Sequence, residues 1–328
     1  MLTLFRNNQV TTVFVLALFT VLMRLPALLG FITPDPVPPQ GAGQIYNVLF
    51  GWTTDAPTWS AIISTLFVLG QAILMNWLVN SSRVNPERNW LVPLFYVVVV
   101  SSTTSFQFLS PALVAATFFP PMYRLLFSIY KSNEITLAVF DTGLLAATAA
   151  LFYLPVLWLL PVLLLSIWHV RSLKLREMAA FMAGTFVPGF LGWGWAFLNN
   201  QGGVFRRQHL LGLFEFWDFH LPESLSVLVQ SGVLLFFFLI VILGYSVYYH
   251  KRLIQIQKYN NLLYWLIFAT IFTVVFRNQP GTTHFLIAGV SVSTFTALSF
   301  QSLKNKGVAE LLFLTLLGGI FTIMFTFG

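Results

Sequence analysis

The chain has no cysteine. Disulfides and any Cys-based metal or redox site are therefore excluded. Charge is almost as scarce: 17 basic and 10 acidic residues make up 8% of 328 positions, against roughly 25% in an ordinary soluble domain. A water-facing surface needs more charge than this, so a soluble enzyme is excluded. Disorder is excluded as well, because it requires low hydrophobicity. Also missing are a Walker A loop, an HExxH helix and a GxSxG elbow, and no motif calls for a cofactor.

What is present is apolar. Hydrophobic residues make up 57% of the chain, Phe alone occurs 35 times, and mean hydropathy is +0.81. A membrane β-barrel would alternate apolar with polar along each strand, whereas Val233 to Tyr245 is apolar nearly throughout. The composition predicts an all-α polytopic membrane bundle forming a single domain over 1–328.

A span needs about 20 mostly apolar residues. Eleven are predicted: Gln9–Phe31, Pro57–Val79, Trp90–Leu109, Pro111–Tyr130, Ile135–Leu151, Tyr153–Val170, Glu177–Leu198, Leu225–Tyr249, Asn261–Phe276, Thr282–Gln301 and Val308–Phe327. The first is as long as a full span and no small-residue cleavage site follows it. It therefore reads as a membrane helix rather than a signal peptide. The fifth and sixth spans are short, as tilted or partly re-entrant helices would be.

The net charge of +7 and pI near 9.8 reflect topology rather than nucleic-acid binding. With the N-terminus cytoplasmic, 13 of the 17 basic residues fall on cytoplasmic ends and loops, as the positive-inside rule requires. Only Arg24, Arg206, Arg207 and Arg277 fall outside. The C-terminus is then periplasmic, and the expected location is the bacterial inner membrane.

Two outer loops exceed simple connectors. The first, 32–56, opens with TPDPVPP, which proline holds extended. QIYNVLFGW follows, Gln44 to Trp52, and predicts a short interfacial helix with Tyr46 and Trp52 at headgroup depth. The second loop, 199–223, interleaves Arg206, Arg207, His209, Glu215, Asp218, His220 and Glu223 with Phe and Trp.

The scarce charges are the candidate sites. Asp35 and Asp55 could serve as general base, or hold a metal on a lipid pyrophosphate. Against that, Asp35 between prolines suits a turn, and Asp55 before Ala56-Pro57 suits a helix N-cap region. Arg24, Arg206, Arg207, His209, Arg277 and His284 are candidates for a lipid phosphate. The loop's own acids could instead pair with its arginines. Arg124 and Asp141 lie at similar depth in adjacent spans, which predicts an intramembrane ion pair. Pro120-Pro121 and Pro188 predict kinks. His169 and His250 fall at cytoplasmic helix ends.

RLLFSIYKS, FDTGLLAATAALFYLPVLWLLPVLLL and LREMAAFMAGTFVPGFL, between Arg124 and Leu198, resemble a family of polytopic membrane proteins from Bacteroidota. The C-terminal HFLIAGVSVSTFTALSF before KNKGVAELL fits the same pattern. That resemblance implies a membrane fold and no particular activity. MRLPALLG, Met23 to Gly30, followed by Asp35 and QIYNVLFGW, is more distantly similar to the GT-C class of membrane glycosyltransferases, as are the two short spans at 135–170. In that class an acid stands in the first outer loop. Here the acidic pair is spread over Asp35 and Asp55.

Outside the inner membrane there is no nucleotide donor, and the activated donors available there are lipid-linked. The first functional expectation is therefore lipid-linked glycosyl or phospho-glycosyl transfer at the periplasmic face in envelope glycan assembly. Its partners would be membrane lipids and a polyprenyl-phosphate-linked substrate, with no nucleic acid. The alternatives are a non-catalytic subunit among other envelope membrane proteins, or a small-solute or lipid transporter.

Overall fold

The computed structural model describes residues 2–6, 9, 11–34, 41–82, 84–85, 87–130, 132, 134–206, 225–245, 253–274 and 281–327. Among them the chain is an all-α bundle without strands. The helices are α1 (Leu2–Arg6), α2 (Thr11–Leu28), α3 (Gln44–Phe50), α4 (Pro57–Ser82), α5 (Leu91–Val100), α6 (Pro111–Ala116), α7 (Phe119–Ile129), α8 (Thr136–Phe152), α9 (Leu159–Val170), α10 (Leu175–Leu198), α11 (Gly202–Arg206), α12 (Leu225–Leu243), α13 (Ile254–Val274), α14 (Gly289–Ser302) and α15 (Lys306–Phe327). Short 3₁₀ turns precede α4, α9 and α14.

Seven segments are long and apolar enough to cross a membrane: Thr11–Leu28, Pro57–Ser82, Pro111–Ile129, Leu175–Leu198, Leu225–Leu243, Thr282–Ser302 and Lys306–Thr326. Three shorter apolar helices, Leu91–Val100, Thr136–Phe152 and Leu154–Val170, lie between them, together with the 21-residue α13. The chain is thus a multi-pass membrane protein. Its burial is arranged for lipid. Phe14, Leu18, Leu66, Phe186, Leu235 and Leu314 face outward, while Arg24, Gln71, Gln107, Gln230 and His284 are buried.

The centre is the antiparallel pair α5 and α14. Every residue of α5 is buried. Phe95 packs on Phe300, with ring centroids 4.6 Å apart, and Gly289 sits under Val100. At the side, α8 and α10 run parallel and pack at backbone distance. A Cβ on Gly143 would stand 2.6 Å from the Phe181 carbonyl oxygen, and one on Gly184 only 2.1 Å from that of Phe140. The buried positions of α10 are Glu177, Phe181, Gly184, Pro188, Gly192 and Ala196, a mostly small-residue stripe three to four apart. Small residues let helix backbones approach where no hydrophobic force between helices operates.

Two predicted spans differ from the observed helices. Trp90–Leu109 is not one helix. α5 ends at Val100, and 101–110, SSTTSFQFLS, crosses the interior as irregular backbone with one short turn at Thr104–Phe106. Five consecutive hydroxyl residues compete for backbone groups and favour turns over helix. The next span breaks at Thr117–Phe118, between α6 and α7, one residue before the helical turn that opens on Pro120-Pro121. There the backbone tightens to Thr117 N–H on Val114 O at 3.2 Å, which frees the Leu113 carbonyl. Gln71 Nε2 takes it at 2.7 Å, while the Gln71 side-chain oxygen accepts from Tyr96 at 2.8 Å. Pro188 is carried within an unbroken α10.

Candidate functional site at the loop end of the bundle

One end of the bundle gathers segments far apart in sequence. Residues 41–43 lie along the C-terminus of α8: Gly43 N–H donates to Phe152 O at 2.8 Å and Leu154 N–H to Gly41 O at 3.0 Å. This is the bridge between Ala42 and Tyr153. Gly43 has no substitute here, because a Cβ would come within 1.9 Å of the Leu151 carbonyl oxygen. α3 follows, then the 3₁₀ turn Gly51–Asp55 that leads into α4. α3 forms where the sequence predicts it, with Trp52 exposed. Tyr46 is instead buried under α3, donating to Leu109 O at 3.2 Å. Burial pushes its hydroxyl up to about 12.

The second loop meets the first. Asn200, with φ +58°, ends α10 in the left-handed region, which Asn tolerates better than most residues. Gln201 N–H then caps Ala196 O at 2.8 Å. The Gln201 side chain accepts a hydrogen bond from Gln44 Nε2. α3 and the turn into α11 are therefore tied together. Arg206 stands exposed at the end of α11, and Asp55 is exposed where α4 begins.

Asp35, Arg207, His209 and Arg277 lie outside the described residues, as do Glu215, Asp218, His220 and Glu223 of the second loop. The remaining candidates are placed as follows. Arg24 does not reach a headgroup. It is wholly buried and donates to Ser64 Oγ, to Gln107 O at 2.8 Å, to Phe106 O at 2.9 Å and to Val100 O at 3.3 Å. These carbonyls are available because the chain at 101–110 is not helical, and the guanidinium turns inward to satisfy them. His284 is also fully buried. Its Nδ1 lies 2.8 Å from the Tyr153 hydroxyl, and its Nε2 lies 2.9 Å from Thr273 Oγ1 and 3.0 Å from Thr270 O. It locks the start of α14 to α13 and to the α8–α9 junction rather than facing a phosphate.

The expected Arg124–Asp141 ion pair is not formed. Arg124 lies over the Trp77 ring, 5.9 Å from its centroid, on the α4 side of α7. Spacing along the chain sets depth in the membrane but not direction around the helix. His169 sits in the last turn of α9, its ring 6.4 Å from that of Trp265.

The polar groups that organise this end are mostly ones a hydropathy reading passes over. Ser60 Oγ accepts from Leu109 N–H at 2.9 Å, Ser64 donates to Gln107 O at 2.7 Å, and Gln230 Nε2 donates to Thr104 Oγ1 at 2.7 Å. α2, α4 and α12 thus all grip 101–110. The signal in the sequence was SSTTS inside a run otherwise apolar enough to span. Among the described residues no cluster of three His, Asp or Glu side chains is placed to hold a metal ion.

No protein-family profile, curated protein or solved structure matches the chain.

Proposed function

We propose that the protein acts in lipid-linked glycosyl or phospho-glycosyl transfer at the periplasmic face of a bacterial inner membrane, within envelope glycan assembly. The observation that carries this reading is the tie between Gln44 and Gln201. It joins the first loop, which carries Asp35 and Asp55, to the second loop, which carries Arg206 and Arg207, on one end of a membrane bundle. In this reading Asp35 or Asp55 takes the proton of an acceptor hydroxyl. The hydroxyl oxygen bonds to the anomeric carbon of the donor sugar, and the carbon–oxygen bond to the lipid phosphate breaks. The leaving lipid phosphate keeps the electron pair, and Arg207 of the second loop with Arg277 stabilises its charge. The likeness of MRLPALLG and the following loop to GT-C enzymes supports the same reading, as does the interfacial helix α3.

A second reading, a non-catalytic subunit of an envelope complex, is favoured by one observation: Arg24 and His284 are consumed by internal contacts and leave fewer groups for chemistry. The transporter reading loses the intramembrane ion pair on which it leaned. Separate Asp35→Asn and Asp55→Asn variants decide between the first two. Transfer predicts that one of them abolishes the envelope glycan that a deletion strain also lacks. Normal glycan in both variants, with loss in the deletion, would leave the subunit reading standing.

A further inference from the structure

Below α11 a groove of about 900 Å³ runs along the side of the bundle. α8 forms its floor, with Ala147, Ala150 and Leu151. Leu157 and Leu160 form one wall, and the face of α10 from Met182 to Trp193 forms the other. It exists because α9 turns away to pack on α13 while α10 stays on α8 through its glycines. Gly189 widens it, since a Cβ there would meet nothing within 4 Å. The lining is apolar except for Thr185, whose hydroxyl donates to Met182 O at 2.8 Å, and for Arg206, the one charged residue of the lining, which stands at its mouth.

We propose that this groove holds one anionic phospholipid, with its phosphate on Arg206 and an acyl tail lying along α10 past Gly189. Three features point to that occupant. From Met182 to Trp193 the helix rises eleven steps, about 16 Å at 1.5 Å per residue, which is the depth of one leaflet of a hydrocarbon core about 30 Å thick. A guanidinium at the headgroup end and an indole beside it, from Trp193, match the charge and amphipathic layering of the interface. No lining residue comes from 41–56, so a lipid here does not present its head to the segment that carries Asp55. The groove therefore suits a resident lipid rather than a substrate, and it assigns Arg206 to that lipid, leaving Arg207 and Arg277 for the transfer reading.

Native mass spectrometry of the full chain in a neutral detergent tests this, using phosphatidylglycerol and phosphatidylcholine with the same acyl chains. The wild type is expected to keep one phosphatidylglycerol, preferred roughly fivefold over phosphatidylcholine, as one basic residue near an anionic headgroup would give. Arg206→Gln should remove the preference, and Gly189→Phe should fill the groove and lose both lipids. Arg206 is exposed, so its variant decides alone if Gly189→Phe does not fold. Equal retention of the two lipids by the wild type, or an unchanged preference in Arg206→Gln, would overturn the proposal. Displacement of the bound phosphatidylglycerol by a polyprenyl phosphate would also overturn it, because the groove would then be a substrate site. Asp35→Asn and Asp55→Asn should bind phosphatidylglycerol like the wild type, so failure of the transfer reading leaves this result intact.

Discussion

A guanidinium buried in a membrane interior must find partners or unfold its surroundings. Arg24 finds three carbonyls and one hydroxyl, on three separate stretches of chain. The arrangement is reciprocal: the broken backbone at 101–110 needs donors, and the arginine needs acceptors. Removing the arginine orphans the acceptors, so Arg24→Ala should cost about 3–5 kcal/mol, the scale of breaking a buried charged network. Thermal unfolding in detergent measures it. A loss under about 1 kcal/mol would mean that water replaces the side chain. Arg24 was legible as an exception, one of four basic residues outside the cytoplasmic set. Its role was not legible. The sequence places it about four residues from the end of α2, near headgroup depth, and only the helix break on another segment shows why it points inward. His284 repeats the lesson: a histidine beside a loop looked available for phosphate, but Tyr153 and Thr273 surround it.

At the scale of elements, the α8–α10 pair rests on glycine. Their backbones meet at Gly143 and Gly184, where side chains cannot fit, whereas Gly189 on the same helix faces open space. The contrast is a direct test. Gly184→Leu should destabilise the protein by at least about 1–3 kcal/mol through overpacking. Gly189→Leu should be near neutral or mildly stabilising, because glycine is the poorer helix former. Melting temperatures of the two variants check this, and equal effects would contradict the packing. Most helix positions were readable from length and hydropathy. The pair at 135–170, where two short spans were expected, is observed as α8 and then a 3₁₀ turn continuing into α9. The one serious misreading was Trp90–Leu109. Mean hydropathy across it is high enough for a span, yet SSTTS ends the helix, because hydroxyl side chains near the middle offer the backbone other partners.

The whole molecule is polarised by its loops. Residues 41–56, the α8–α9 junction, the α10–α11 turn and His284 share one end. Arg171 with Ser132, Lys258 with Val170, and Gln301 with Glu87 are paired at the other. The basic residues of that second end are the ones expected in the cytoplasm. The lack of native cysteine makes the sidedness simple to test. Single Asp55→Cys and Lys304→Cys variants, both at exposed positions, can be treated with a membrane-impermeant maleimide. Asp55→Cys should label once the outer membrane is opened, and Lys304→Cys only after the inner membrane is permeabilised. The reverse pattern would place the candidate site in the cytoplasm and remove the argument for a lipid-linked donor.

The sequence by itself determined the class and the order of the long apolar segments. Those follow from a one-dimensional quantity, the transfer of apolar residues into lipid, which adds up locally along the chain. The tertiary structure decided which rare polar side chains face each other. It turned Arg24 and His284 inward, set Arg124 on Trp77 instead of Asp141, and brought residues near 44 and 201 together. Those outcomes depend on the rotation of each helix and on where backbone hydrogen bonds are left unmade, and neither is written in the hydropathy of a single segment.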